Sequence, residues 1–137
     1  MENNTVMEHK IVVLVDEDRE FDSIIKMKLE SEGFAVHVAD MPQVGLRMVE
    51  EIHPDLVLLD INMPGMSGIE FITELKENPA VKMTKVAFLS SMIDPWKGDG
   101  DIQTIAGELG AVAFIDKAID LNELMERVRA IVAASEE

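Results

Sequence analysis

Short apolar runs without polar alternation recur along this chain, and each stops on polar residues. Ile11-Val12-Val13-Leu14-Val15 ends in Asp16-Glu17-Asp18, and Leu56-Val57-Leu58-Leu59 ends on Asp60. Val86-Ala87-Phe88-Leu89 ends at Ser90-Ser91, and Ala111-Val112-Ala113-Phe114-Ile115 ends at Asp116-Lys117. Runs of this length and composition predict strands covered on both faces. Phe34 to Val38 reads as a further short strand, second in chain order. Between the runs, apolar residues take helical spacing. Phe21, Ile24, Ile25 and Leu29 form one stripe, closed by Gly33. Met41, Gly45, Met48, Val49 and Ile52 form the next, with Pro42 in its first turn and His53-Pro54 at its end. Gly68, Phe71, Ile72 and Leu75 follow, broken near Asn78-Pro79. Ile102, Ile105, Ala106 and Leu109 predict a short fourth helix stopped by Gly110. Leu121, Leu124, Met125, Val128, Ile131 and Val132 predict the fifth.

Strands alternating with helices define an α/β domain with a parallel sheet covered on both faces. Crossovers are right-handed, so all strand C-termini point to one edge. The fold expected is a flavodoxin-like (βα)5 three-layer sandwich of strand order 2-1-3-4-5. Its switch point then lies between strands one and three, and Asp16 and Glu17 come to lie beside Asp60. The domain is expected over 10–134, after a polar leader at 1–9 and before a frayed tail at 135–137.

Asp60 taken alone reads equally well as the cap of the helix that follows. Its company changes that. Asp16, Glu17 and Asp60 crowded at one edge repel one another, and a hard divalent cation relieves them. Mg²⁺ suits, because it binds a couple of carboxylates and keeps waters and phosphate oxygens. A hydroxyl at Ser90 and an ammonium at Lys117 can hold the oxygens of a phosphoryl group. Phosphoryl transfer needs mainly positioning and charge neutralisation, which leaves Asp60 as the nucleophile that forms an acyl phosphate.

The bulk numbers narrow the partners. Among 137 residues, 27 acidic side chains oppose 12 basic ones, for a formal charge of −15. That disfavours nucleic acid and anionic membrane surfaces as partners. Hydrophobic residues make up 47% of the chain, enough for a real core. The absence of cysteine excludes disulfides and thiol chemistry. No signal pattern or bilayer-length run is present, so a soluble, cytoplasmic protein is expected. The three histidines lie apart, and the ten methionines read as core filler. Asp99-Gly100-Asp101 reads as a turn and helix cap, and Trp96 as a residue covering its own loop.

Five features in order resemble the receiver domain of two-component response regulators: Val15-Asp16-Glu17, the block from Asp55 through Asp60 to Ile61-Asn62-Met63-Pro64-Gly65-Met66-Ser67-Gly68, Leu89-Ser90, Gly110-Ala111 with Phe114, and Lys117. The resemblance spans residues 10–134. It implies phosphorylation of Asp60 by a histidine kinase or histidine phosphotransfer protein. It implies Mg²⁺ held by Glu17 and Asp60, with Asp16 in support and the Asn62 carbonyl as a further ligand. Lys117 would pair with the phosphate, Ser90 would swing toward it, and Phe114 would turn into the vacated space. The face of helix four, strand five and helix five would then change partner preference, with a homodimer among its options. Such a domain is a signalling module, not an enzyme in the turnover sense. As a stand-alone receiver it would signal through an unidentified output protein.

The chain departs from the family's usual pattern at three positions. Glu17 stands where aspartate is usual, Ser91 where alanine is common, and Ala118 where a cis-proline follows the lysine. A cis bond before a non-proline residue costs about 2.5–4 kcal/mol, so a trans bond or a rearranged loop is expected at Lys117-Ala118. The segment from Ser91 to Asp101 reads as longer than usual and as a carrier of partner specificity. Three rival functions remain: a receiver-like binding module independent of phosphorylation, an aspartate-nucleophile phosphatase, and a flavodoxin. The phosphatase needs a second aspartate where Asn62 stands. A flavodoxin needs a hydroxyl-rich loop where Asp16-Glu17-Asp18 stand.

Overall fold

The computed structural model describes residues 10–61, 63, 65–90 and 107–134. The leader at 1–9, the tail at 135–137, the 91–101 loop with Trp96 and most of the predicted fourth helix lie outside the described residues, as do Asn62 and Pro64. Five strands form one parallel sheet: β1 (Ile11–Val15), β2 (Ala35–Ala39), β3 (Leu56–Asp60), β4 (Lys85–Ser90) and β5 (Ala113–Asp116). Their order is 2-1-3-4-5, as expected. The described helices are α1 (Arg19–Ser31), α2 (Pro42–Ile52), α3 (Gly68–Glu77) and α4 (Leu121–Ala133). Residues 107 and 108 are also helical, just before the predicted stop at Gly110.

Strand side chains alternate between the two faces, and the core divides accordingly. Val12, Leu14, Leu56, Leu58, Ala87, Leu89 and Ile115 pack against Ile25 and Leu29 of α1 and Leu124, Met125 and Val128 of α4. Val13, Val15, Val57, Leu59, Val86 and Phe88 pack against Val49 of α2 and Phe71, Ile72 and Leu75 of α3. Every residue of β3 is buried, which is why its sequence carries no polar alternation.

The helix ends are set by local chemistry. Asp18 caps α1 by accepting from the Phe21 N–H at 3.1 Å. Pro42 occupies the first turn of α2, and His53 ends that helix in the left-handed region at φ 55°. Ser67 and Glu70 form a capping box on α3: Ser67 Oγ accepts from Glu70 N at 3.1 Å, and Glu70 Oε1 accepts from Ser67 N at 3.2 Å. Ser67, not Asp60, therefore caps the helix after β3. Asp120 caps α4, and at its far end Lys85 Nζ donates to the carbonyls of Ile131 and Ala134, both at 2.8 Å. That lysine supplies the positive charge that the last turn of α4 lacks.

Some expectations need correction. Ile24, assigned to the buried stripe of α1, is 54% exposed, and Asp22 is buried in its stead. Met41, expected on the α2 stripe, is exposed, as are Met27 and Met83, so methionine is not uniformly core filler here. β5 begins at Ala113, not Ala111, and Val112 faces solvent. β2 runs one residue later than its apolar pattern suggests, through Ala39.

Gly68 sits where α3 crosses the exit of β3. A Cβ there would lie 2.9 Å from Ile61 Cγ1, 3.0 Å from Ile61 Cα and 3.1 Å from Phe88 Cε1. The crowding involves backbone, which cannot rotate away. Gly68→Ala is expected to destabilise the fold by about 1–3 kcal/mol, read as a lower midpoint in urea with an unchanged slope.

Candidate phospho-acceptor site

The register of the sheet builds the site. Val15 pairs with Leu59, so one step further Asp16 comes level with Asp60. Asp60 pairs with Leu89, and Ser90 with Asp116. The strand alternation that places Leu14, Leu58 and Ile115 on one face carries Asp16, Asp60 and Lys117 to that same side. The same parity sends Ser90 and Phe114 to the side of Phe88. Backbone bonds lock the edge: Asp16 N to Ala39 O, Ile61 N to Leu89 O and Lys117 N to Ser90 O, each 3.0 Å.

Lys117 is the hub. Its Nζ lies 2.8 Å from Asp16 Oδ2 and 3.7 Å from Asp60 Oδ2. It also stands 4.5 Å above the centroid of the Phe21 ring, a cation–π contact. Asp16 is fully buried, and Asp60 and Ser90 nearly so. Asp16 Oδ1 accepts from the Asp18 N–H at 2.9 Å. Asp16 Oδ2 is the oxygen that pairs with the ammonium, at 2.8 Å. Burial works against the charged lysine, but Asp16, with Asp60 and Asp18 behind it, outweighs that and holds Lys117 above the ordinary lysine value. The ammonium is thus fully charged at neutral pH. No cis peptide bond occurs among the described residues, so Lys117-Ala118 is trans, and the lysine still reaches both carboxylates. Ala118 N bonds Asp116 Oδ1 at 2.9 Å, which turns the loop sharply after β5.

The structure thus brings Asp16, Asp60 and Lys117 into one cluster, with Ser90 at the same sheet edge. Phe114 packs edge-on against Phe88, ring centroids 6.1 Å apart, and is half-buried. Glu17 faces solvent, and Asn62 lies outside the described residues. Among the described residues no three acidic or imidazole groups are grouped closely enough to hold a metal ion. Asp16 and Asp60 nevertheless set two carboxylates side by side at the sheet edge, which fits an ion that binds through one or two carboxylates and keeps its waters.

Residues 12–129 match the family model of the response regulator receiver domain. The chain is 33% identical over 124 residues to the transcriptional regulatory protein CpxR of Klebsiella pneumoniae, covering 90% of this chain and 50% of that protein. Its backbone superposes on the signal receiver domain of NarL from Mycobacterium tuberculosis with a TM-score of 0.81 at 25% identity, covering 93% of this chain and 99% of that one. It also matches the chemotaxis response regulator CheY4 of Vibrio cholerae with a TM-score of 0.80 at 20% identity, covering 90% and 98%, a likeness of fold. The chain belongs to the response regulator receiver family, the signalling domains of two-component systems. It spans about half the length of the curated relatives it matches. No helix among the described residues is long and apolar enough to cross a membrane.

Sequence reasoning missed two members of the site, Phe21 and Asp22. Phe21 was read only as part of an apolar stripe. Asp22 is three residues before Ile25 and seven before Leu29, so helical spacing alone puts it on the buried side. The residue is 5% exposed. Burial and the nearby charge of Asp16 push it up from 3.8 to about 7, with smaller pushes from Asp18 and Asp40 and a counter-pull from Lys117. Asp22 therefore binds its proton more tightly in the folded than in the unfolded chain. Its contribution to stability falls as pH rises from about 4 to about 7 and is level above that. Asp22→Asn is expected to abolish this fall and to raise stability at pH 8 by on the order of 2 kcal/mol. The difference between urea unfolding curves of the two proteins across pH 4–8, with chelator present, measures it. A difference independent of pH contradicts the assignment.

Proposed function

We propose that Asp60 accepts a phosphoryl group from a histidine kinase or histidine phosphotransfer protein. The observation that carries this reading is the buried Lys117 ammonium, 2.8 Å from Asp16 and 3.7 Å from Asp60 at the C-terminal edge of the sheet. An Asp60 carboxylate oxygen attacks phosphorus, the bond from phosphorus to the donor histidine nitrogen breaks, and the imidazole leaves with the electron pair. Lys117 neutralises charge on the transferred oxygens, and Asp16 keeps that ammonium at the site. A bound Mg²⁺ would supply further positive charge for the same oxygens. The residues proposed to hold it are Asp16, Glu17, Asp60 and the Asn62 carbonyl. Phe21 supports Lys117 through its ring face, 4.5 Å from the ammonium. Dephosphorylation at the same site returns Asp60 to its free state.

Ser90 and Phe114 are the proposed read-out. They share the side of the sheet occupied by Phe88, and Ser90 O already ties β4 to the residue after β5. Ser90 moving toward a phosphorylated Asp60 would alter the space beside Phe114. The balance between two packings would then shift. The signal leaves through the surface of β5 and α4, to an output protein or a second copy of the chain. The acidic surface fits a protein partner in the cytoplasm better than nucleic acid or an anionic membrane.

The test is chemical. With Mg²⁺ and acetyl phosphate, intact mass is expected to rise by one phosphate, and Asp60→Asn is expected to gain none. Lys117→Met is expected to slow the gain at least about tenfold, given the worth of one donor to a developing oxyanion. A wild-type protein that never gains phosphate favours the phosphorylation-independent binding module, a reading in keeping with the exposed Glu17. Sustained turnover of varied phosphomonoesters favours the phosphatase.

A further inference from the structure

Four residues at the acidic edge form a closed circuit of contacts. Asp16 Oδ1 accepts from the Asp18 N–H at 2.9 Å, and Asp18 Oδ1 accepts from the Phe21 N–H at 3.1 Å. The Phe21 ring centroid lies 4.5 Å from Lys117 Nζ, and that ammonium returns to Asp16 Oδ2 at 2.8 Å. Two of these links are side-chain caps on backbone N–H groups. One carboxylate, Asp16, therefore holds both the ammonium and the turn that leads to the aromatic ring. Asp16 is fully buried, whereas Asp18 is exposed and Phe21 partly so.

Lysine carries its charge on a flexible four-carbon stem, so its direction has to be set by what surrounds it. Asp16 at 2.8 Å and Asp60 at 3.7 Å attract the ammonium, and the Phe21 face is the third group against it. A carboxylate in place of Phe21 would attract the ammonium too. It would also compete for that ammonium with the oxygens of an incoming phosphoryl group, and would repel the group itself. An aromatic face attracts the cation through its quadrupole without adding net charge. The ammonium is held and still available to a phosphoryl oxygen.

We propose that Phe21 and Asp18 are positioning residues for phosphoryl transfer: the aromatic face sets where the Lys117 ammonium stands, and the Asp18 cap sets where that face stands. The proposal rests on the reading of Asp60 as phospho-acceptor and adds two residues from the start of α1 to its machinery. Each acts through Lys117, not on the phosphoryl group itself.

The experiment uses the full chain with two readouts. The first is the nuclear magnetic resonance signals of the Lys117 ε-methylene and ammonium, recorded without phosphodonor. They are expected upfield from the ring current of Phe21, and Phe21→Leu is expected to return them to ordinary lysine positions. This readout decides whether the ring positions the lysine even if Asp60 takes no phosphate. The second is the rate of phosphate gain from acetyl phosphate with Mg²⁺. Phe21→Leu is expected to slow it about fivefold, the factor that a cation–π contact of ordinary strength corresponds to. Mono-, di- and trifluorinated phenylalanine at position 21 nearly preserve the packing and weaken the face stepwise, so the rate is expected to fall stepwise with them. Asp18→Ala is expected to slow the gain, and Asp18→Asn, which keeps the cap, to stay within about twofold of wild type. The proposal is overturned if the Lys117 signals are the same in Phe21→Leu as in wild type. It is also overturned if all fluorinated chains react at the wild-type rate, or if Asp18→Asn is as slow as Asp18→Ala.

Discussion

Two carboxylates and one ammonium, taken out of water at a single sheet edge, are the constraint on which the rest of this molecule depends. Buried charges are tolerated only when paired, and removing one partner from such a group costs about 3–5 kcal/mol. Lys117 arrives from the end of β5, Asp16 from β1 and Asp60 from β3, so the group exists only when three strands are in register. A slip of one residue in any strand would turn its polar end toward the opposite face. The folded topology and the reactive cluster are thus one arrangement seen at two scales.

The apolar body of the fold was plain in the sequence because it obeys local rules. β1 is bounded by a polar residue on each side, and its limits were read correctly from that alone. Gly33 and His53 mark the ends of α1 and α2 because the chain must reverse there. The start of β5 was misread because Ala111-Val112 is as apolar as the strand it precedes. Only pairing with β4 shows that the ladder begins at Ala113. The buried stripe of α1 was misread for a different reason. Hydrophobicity favours Ile24 over Asp22, but the position of α1 against the acidic edge buries Asp22 and leaves Ile24 outside.

The site divides along similar lines. Asp16, Asp60, Ser90 and Lys117 follow from strand ends, because a parallel sheet gathers its C-termini at one edge. The contact of Lys117 with the face of Phe21 depends on the angle at which α1 leaves β1, which no spacing in the sequence encodes. Ala118, a departure from the usual proline, suggested a lysine with uncertain reach, yet the trans chain turns on the Asp116 carboxylate and brings the ammonium home. Glu17 is the residue whose position was least legible, since it follows directly on the end of β1 yet is exposed to solvent beside a buried Asp16.

Lys85 holds the opposite end of the molecule. Its side chain fastens the last carbonyls of α4 to the base of β4, far from the charged edge. The mooring adds to the buried contacts of Leu124, Met125, Val128 and Val132, so α4 is held to the sheet at its C-terminus by polar as well as apolar contacts. Its other end begins at the Asp120 cap, beside the loop that carries Lys117. That mooring rests on a single lysine 46 residues before Ile131 and 49 before Ala134, so the last turn of the domain is closed by a strand laid down much earlier in the chain.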